Sequence, residues 1–286
     1  LMADGSRRPI DNPTAGAHYV IVDGGDQPNV VPSQASVWYF IREITADHIR
    51  DNFTALQGIA EGAAMMTGTE ASRRIIGTAY PRHFNRPIAE AMQANIEAVG
   101  MPDWSDDDQA FARAFQEFME ADEITGLKTE VDEISAPREE PKSGGSDDIG
   151  DVSWNVPTVT LLFPSNIDGR TGHHWSSAIA MATPIAHKGA VAGAKVIAAT
   201  MLDLLQEPQL REAAWTYFRE EQTANETYRP FIGPDDPPAI EKNAAIMERF
   251  KGELSKYYYD PSRYDTYLEQ LGIDYPELRT APATSN

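Results

Sequence analysis

Three of the chain's six histidines lie within one short stretch, GHHWSSAIAMATPIAHKG, as His173, His174 and His187. Imidazole nitrogen is a common ligand of zinc and other borderline divalent metals. Adjacent side chains in a loop rarely point at the same ion, however, and His187 lies a further fourteen residues past His173. The spacing therefore forms no self-contained metal site. The alternative is a hydrogen-bonded loop histidine followed by a histidine at a helix start.

A group of acidic residues lies in the segment SDDIGDVSW, where Asp147, Asp148 and Asp151 follow a pair of glycines. Carboxylates in such a loop can orient a histidine or bind a cation. The ligand spacing and the closing glutamate of a calcium-binding EF-hand loop are absent. The alternative is a solvated turn in which aspartate caps a helix.

Asn29 lies in GGDQPNVVP, where glycine and proline favour a sharp turn. Its side-chain amide could contact a substrate, or it could simply satisfy the turn itself. The glycine pair is no phosphate loop, because no G-x-x-x-x-G-K-[ST] pattern follows it. No G-x-S-x-G nucleophile motif is present in the sequence either.

The composition excludes several classes of partner. The formal net charge is -20, so duplex nucleic acid and anionic membrane surfaces are poor partners. There is no cysteine, so a metal site must use His, Asp or Glu. The longest apolar run, 190–202, is interrupted by Lys195 and falls short of the ~20 residues of a membrane helix. Residues 1–12 are polar and resemble no signal peptide, so we expect a cytoplasmic protein.

The N-terminal part of the sequence predicts a β-β-α-β unit. Alternating β-rich residues predict strands at 18–25 and 35–42, and Thr45 is a candidate cap for an amphipathic helix. A further strand is predicted at about 70–78. Together these elements make most of a β-α-β-β-α-β sandwich that lacks its first strand and helix.

The remainder predicts an α/β layer built from part of a larger sheet. Pro87 and Gly100 suit the start and stop of a helix, and Ser105 with three aspartates suits the start of the next. Residues 156–163 are a candidate for a buried strand. Further helices are predicted at about 184–205, 209–221 and 240–257.

Three blocks, HYVIVDGGDQPNVVPSQASVWYFIRE, GDVSWNVPTVTLL and GHHWSSAIAMATPIAHKG, together resemble the metal-dependent aminoacylase/carboxypeptidase amidohydrolases. The likeness is greatest to the p-aminobenzoyl-glutamate hydrolase branch and weakens beyond about Leu205. It implies a zinc-peptidase-like α/β catalytic domain with a smaller α+β, ferredoxin-like lid that forms a dimer. Residues 1–80 would be a partial lid, and residues 81–286 the C-terminal part of the catalytic domain.

The resemblance also implies roles for individual residues. His173 matches the last metal ligand, and Asn29 matches a lid asparagine that contacts substrate. Asp148 and Asp151 match an acidic loop beside the active site, supporting the metal ligands rather than binding the ion, and His187 matches a histidine near the site. Two positions depart from the pattern. His174 stands where a small polar residue is expected, and Asp147 where the branch more often has threonine.

The implied activity is hydrolysis of the amide of N-acyl amino acids or peptides by two divalent ions, zinc or manganese. The general-base glutamate and the other ligands would belong to a family segment that this sequence does not contain, so we expect this chain alone to be inactive. Two alternatives stay open. One is a non-catalytic dimerisation protein that keeps the lid, and the other is an enzyme of two chains whose partner supplies the missing ligands.

Overall fold

A computed structural model describes residues 16–135 and 146–278, which form two compact units. Each unit is assembled from separate stretches of the chain. Among the described residues these are 16–83, 146–155 and 226–239 in the first unit, and 84–135, 156–225 and 240–278 in the second. Mixed helices with a small two-stranded sheet are compatible with the predicted α/β class. The division into lid and catalytic domain stays a prediction.

The first unit contains an antiparallel hairpin, β1 (Gly16–Asp23) and β2 (Ser36–Arg42), followed by helix α1 (Ala46–Thr67). Both strands were predicted to within about two residues. Tyr19 lies directly opposite Tyr39, and their ring centroids are 5.4 Å apart. The predicted cap is confirmed, because the Thr45 hydroxyl accepts a hydrogen bond from the backbone of His48.

The third predicted strand of this unit is wrong. Residues 70–78 belong to no helix or strand and pair with neither β1 nor β2. A strand exists only through ladder hydrogen bonds to a neighbouring strand, so β-rich sequence without a partner does not form one.

An aromatic cluster packs the other segments of the first unit together. The Tyr80 ring is stacked on Phe231 at 4.9 Å and meets Tyr228 and Trp154 edge-on at 5.0 and 5.3 Å. The Arg50 guanidinium lies 4.6 Å from the centre of the Phe231 ring, a favourable cation–π position. This cluster joins α1, residue 80, the segment around 150 and the segment 226–239.

The second unit begins with helices α2 (Arg86–Val99) and α3 (Asp106–Phe118), both at predicted positions. Asn85 caps α2, and its buried amide also donates to the Ala214 carbonyl at 2.9 Å. Ser105 forms a capping box with Asp108 at the start of α3. Of the α3 phenylalanines, Phe115 is buried whereas Phe118 is 70% exposed.

The core of the second unit lies where α3 meets the loops and helix starts of later segments. A short helix α4 (Ile149–Ser153) belongs to the first unit, whereas α5 (Ser176–Ile179), α6 (Pro184–Gln206) and α7 (Pro208–Tyr217) belong to the second. A π-helical turn continues α7 from Phe218 to Gln222. The buried residues of the core cluster are Ala112, Phe115, Leu127, Ile167, Ala180 and Ile185.

Helix α6 is the helix that the sequence predicts at about 184–205, and it packs against α2 and α7. By length and composition alone it is the one described helix that could cross a membrane. The sequence had predicted no segment of this kind. A packed helix of a globular unit passes the same test. The buried glycines of α6 and the ion pair between Lys188 and the buried Asp108 tie it into the second unit.

The buried strand predicted at 156–163 is wrong. These residues belong to no strand, and Leu162 is 95% exposed. Within the described ranges only β1 and β2 are strands, so no sheet is present in the second unit for this segment to join. Instead its end packs on α6: a methyl group added to Gly189 would lie 2.3 Å from the Pro164 carbonyl oxygen.

The C-terminal part of the second unit is a series of short helical elements. A 3₁₀ turn (Ile240–Asn243) leads into α8 (Ala244–Leu254), a second 3₁₀ turn covers Ser255–Tyr257, and α9 spans Tyr267–Leu271. The helix predicted at 240–257 is therefore confirmed, although both of its ends are tighter than an α-helix. Tyr275 reaches back from this region and donates its hydroxyl to Asp108 at 3.0 Å.

Candidate metal and substrate site

His173 lies on an exposed turn between Thr171 and the start of α5. Its backbone has φ of 54°, a left-handed conformation that histidine adopts more readily than most residues do. The turn is closed by hydrogen bonds on both sides: Ser177 donates its hydroxyl to the Thr171 carbonyl at 2.8 Å, and Ser176 accepts from the Thr171 amide at 3.3 Å. Among the described residues, no side chain or backbone group bonds the His173 ring.

His174 is held differently from its neighbour. Its Nδ1 atom lies 3.0 Å from the buried Ser176 hydroxyl, and its ring packs on Trp175 with centroids 5.0 Å apart. The backbone carbonyl of His174 also accepts from Ser177 in the first turn of α5. These contacts give His174, the unexpected residue of the motif, a role in shaping the turn that presents His173.

His187 lies in the first turn of α6, which begins at Pro184. It is exposed and lines a cleft of about 410 Å³ in the second unit, together with residues of α5, the following 3₁₀ turn and the segment 259–267. The predicted position of this histidine, at a helix start, is therefore confirmed.

The three aspartates around α4 differ in their contacts. Asp151 accepts from the Tyr80 backbone at 3.0 Å and from the Tyr228 hydroxyl at 2.8 Å. Asp147 accepts from the Ile149 backbone and lies 3.6 Å from the Arg82 guanidinium. Asp148 is exposed and precedes α4 without making a side-chain cap.

Asp151 and its tyrosine partners influence one another electrostatically. Burial, the hydrogen bond to Asp151 and the charge of that carboxylate together raise the pKa of Tyr228 to about 12. Burial and the nearby Glu226, which accepts from the Tyr80 hydroxyl at 2.9 Å, raise the pKa of Tyr80 as well. Both phenols are therefore neutral hydrogen-bond donors at neutral pH.

Sequence reasoning did not find the partners of Asp151, because they are distant in the chain. Tyr228 is 77 positions from Asp151, and Tyr80 is 71 positions from it. The aromatic residues of the segment YRPF indicate that this segment packs against other parts of the chain. They do not indicate which carboxylate it contacts.

Asn29 lies on the exposed loop between β1 and β2. The loop is shaped by Gly25, whose φ is 99° and which packs on the Pro32 ring, and by a turn in which Val30 donates to the Gln27 carbonyl at 3.1 Å. The predicted turn is confirmed, and a role of Asn29 in substrate binding stays a prediction.

The described residues do not by themselves make a metal centre. No three of their His, Asp and Glu side chains are placed to hold one ion. His173 and His187 belong to the second unit, whereas Asp148 and Asp151 belong to the first. Among the described residues, His173 stays the candidate ligand that the resemblance implies.

Similarity to known proteins gives this site its context. No family model matches the chain. Over 219 residues it is 30% identical to a subunit of p-aminobenzoyl-glutamate hydrolase from Escherichia coli (strain K12), a match that covers 68% of this chain and 46% of that protein. It is also 24% identical over 218 residues to Xaa-Arg dipeptidase of Mus musculus, covering 74% of this chain and 43% of that protein.

Both relatives are hydrolases. The chain spans about half the length of the curated relatives that it matches. The homology supports the resemblance to amidohydrolases. The individual site residues stay predictions.

Proposed function

We propose that this chain is the C-terminal part of a dinuclear-metal amidohydrolase that cleaves the amide of N-acyl amino acids or short peptides. The similarity to two hydrolases supports the reaction class. The observation that carries the proposal is the turn at His173. A left-handed backbone at His173 and two bonds between Thr171 and the serines of α5 shape this turn, which presents an imidazole without a protein partner in the described residues.

In this proposal His173 is the metal ligand that the chain contributes, and His174 positions it through the turn. Divalent ions in such a centre lower the pKa of a bound water and polarise the scissile carbonyl. Asp148 has its side chain available to support a ligand, whereas Asp151 acts through the Tyr80 and Tyr228 contacts that fix α4. Asn29 is proposed to contact the substrate.

The names of the relatives suggest the substrate class. One is named for an aminobenzoyl-glutamate amide, and the other for dipeptides ending in arginine. In both, an amide joins an acyl group to the amino group of an amino acid, so we propose N-acyl amino acids as the class.

Zinc and manganese titrations of the full chain test the role of His173. We expect weak binding of one ion per chain and no hydrolysis of p-aminobenzoyl-glutamate, because a single imidazole is a poor site. His173→Gln should abolish the binding. His174→Gln should weaken it only slightly, and His18→Gln, on strand β1, should leave it unchanged.

Other results would contradict the proposal in distinct ways. Tight binding of two ions with turnover would show that the chain is a complete enzyme. Equal metal binding by the His173→Gln variant would remove His173 from the site. If a partner chain supplies the missing ligands, a complex purified from the native host should hydrolyse the substrate and lose activity with His173→Gln.

A homodimer through the hairpin unit is part of the proposal. One face of β1 and β2 carries the large exposed side chains of Val20, Trp38 and Phe40, which are 54%, 43% and 51% exposed. Exposed apolar residues clustered on a hairpin are typical of a surface that another chain covers. The relative from Escherichia coli is itself named as a subunit. A cytoplasmic location is proposed along with this assembly.

A further inference from the structure

A cleft of about 410 Å³ in the second unit has a composition that the proposed metal chemistry does not use. One wall is apolar and comes from α5 and the turn after it, including Met181. The opposite wall comes from the C-terminal segment and presents Tyr259, Asp265 and Tyr267. His187 lies at the start of α6 and completes the lining.

Tyr259 and Tyr267 both line this cleft, and their hydroxyls are bonded within their own segment. Tyr259 donates to the Tyr264 carbonyl at 2.7 Å, and Tyr267 donates to the Tyr257 carbonyl at 3.0 Å. The two rings meet edge-on, with centroids 6.3 Å apart. An aromatic ligand can pack against such a pair.

The polar groups of the cleft are available to a ligand. Within the described residues, neither the Asp265 carboxylate nor the His187 ring has a hydrogen-bond or ion-pair partner, although the Asp265 backbone donates to Glu269 at 2.8 Å. The cleft therefore combines aromatic and apolar walls with an acceptor of hydrogen bonds, the usual pattern of a small-molecule site.

The helix start beside the cleft is fixed in place. Lys188, next to His187, donates to the buried Asp108 at 2.6 Å and to the Asp103 carbonyl at 2.9 Å. Tyr275 donates to the other oxygen of the same carboxylate. These bonds hold the first turn of α6, which carries His187, and residue Tyr275 to α3 through one carboxylate.

We propose that this cleft binds the aromatic acyl group of an N-aroyl amino acid, with a ring amine donating to Asp265. The ring would lie between Met181 and the two tyrosines. This inference rests on the proposed function for its substrate class. The cleft lies close in the chain to the proposed metal ligand. Its apolar wall begins at Ala178, only four residues and about one helical turn after His174.

Binding of two neutral probes to the full chain tests the proposal. We expect 4-aminobenzamide to bind about tenfold more tightly than benzamide, because only the first donates to the carboxylate. Asp265→Ala should remove this preference, whereas Asp168→Ala, a matched change at an 86% exposed carboxylate outside the cleft, should keep it. Magnetisation transfer from the probe ring to the Met181 methyl group, assigned with Met181→Leu, should place the ring in the cleft.

Several outcomes would overturn the inference. These are equal affinity for the two probes, an unchanged preference in the Asp265→Ala variant with native circular dichroism, or tighter binding of methylguanidinium than of 4-aminobenzamide. The test is separate from the test of the proposed function, because it measures binding without metal or turnover. If the protein binds metal as proposed but shows no preference for the amine probe, the proposed function stands and this inference fails. If it prefers the amine probe but binds no metal, this inference stands and the proposed function fails.

Discussion

The Asp151 carboxylate links three segments of the first unit through hydrogen bonds. Its two oxygens accept from the Tyr80 backbone and from the Tyr228 hydroxyl, so α4 is tied to two distant segments. Next to it, Gly150 has no room for a side chain, since a methyl group there would lie on the Tyr80 carbonyl oxygen. The acidic loop therefore has a structural role in the first unit, because it connects α4 to the segments around Tyr80 and Tyr228.

The raised pKa of Tyr228 gives this connection a measurable pH dependence. Because the folded pKa of about 12 exceeds the ordinary value of 10.0, the neutral phenol contributes stability fully below about pH 10 and loses it as the pH rises through 12. Asp151→Ala should bring the Tyr228 pKa back towards 10, since it removes the charge and the acceptor. Tyrosine labelled at Cζ and titrated by NMR would report this ionisation directly.

Asp148→Ala is the control for that titration, because Asp148 is exposed and lies three positions earlier in the same segment. If both variants shift the Tyr228 pKa equally, the general loss of negative charge is responsible rather than the bond to Asp151.

At the scale of elements, α6 depends on glycine. Gly189 and Gly193 are buried and allow the segment 163–165 to lie directly on the helix. Added methyl groups would lie 2.3 Å from the Pro164 carbonyl oxygen and 2.6 Å from the Phe163 ring. The small residues of α6 thus pack against an irregular chain segment.

Gly189→Ala should destabilise the second unit by about 1–3 kcal/mol through overpacking. The helix propensity of alanine offsets only part of this cost, up to about 1 kcal/mol. Gly252→Ala is the matched control in α8, where nothing lies within 4 Å of the added methyl, and it should stabilise by about 0.5–1 kcal/mol. Urea unfolding of both variants would measure the difference, and equal effects would show that the close approach at Gly189 is unimportant.

Helices were easier to predict than strands for a physical reason. The helix ends were specified locally, because Thr45, Asn85 and Ser105 each bond the backbone of the turn that follows. A strand depends on a partner, and residues 70–78 and 156–163 have β-rich sequence without a neighbouring strand in the described residues. Local sequence cannot supply that information.

For the candidate site too, the locally determined features could be predicted and the distant contacts could not. The turn at His173 and the helix start at His187 follow from nearby glycine, serine and proline residues. The partners of Asp108 and Asp151 could not be predicted, because Tyr275 is 167 positions from Asp108 and Tyr228 is 77 positions from Asp151.

The whole molecule carries a strong excess of negative charge, with 44 acidic and 24 basic residues. Self-repulsion at this charge opposes the compact state, and salt screens it. We therefore expect the melting temperature at neutral pH to rise with sodium chloride, by about 2–4 °C for each 1 kcal/mol of repulsion that is screened. Thermal unfolding followed by circular dichroism would measure it.

The same measurement near the isoelectric pH of about 4.6 is the control, because the net charge there is close to zero. Salt should then have little effect on the melting temperature. An equal rise at both pH values would point to general exclusion of salt from the surface rather than to charge screening.

The discontinuous first unit has a consequence during protein synthesis. Arg50 in α1 donates to the carbonyl of Arg229, a residue 179 positions later. At about 5–20 residues per second, the ribosome needs about 9–36 s to make the intervening chain. Until then α1 emerges without the aromatic segment that its Arg50 contacts, so we expect the nascent chain to depend on chaperones at the ribosome exit for longer than its size alone requires.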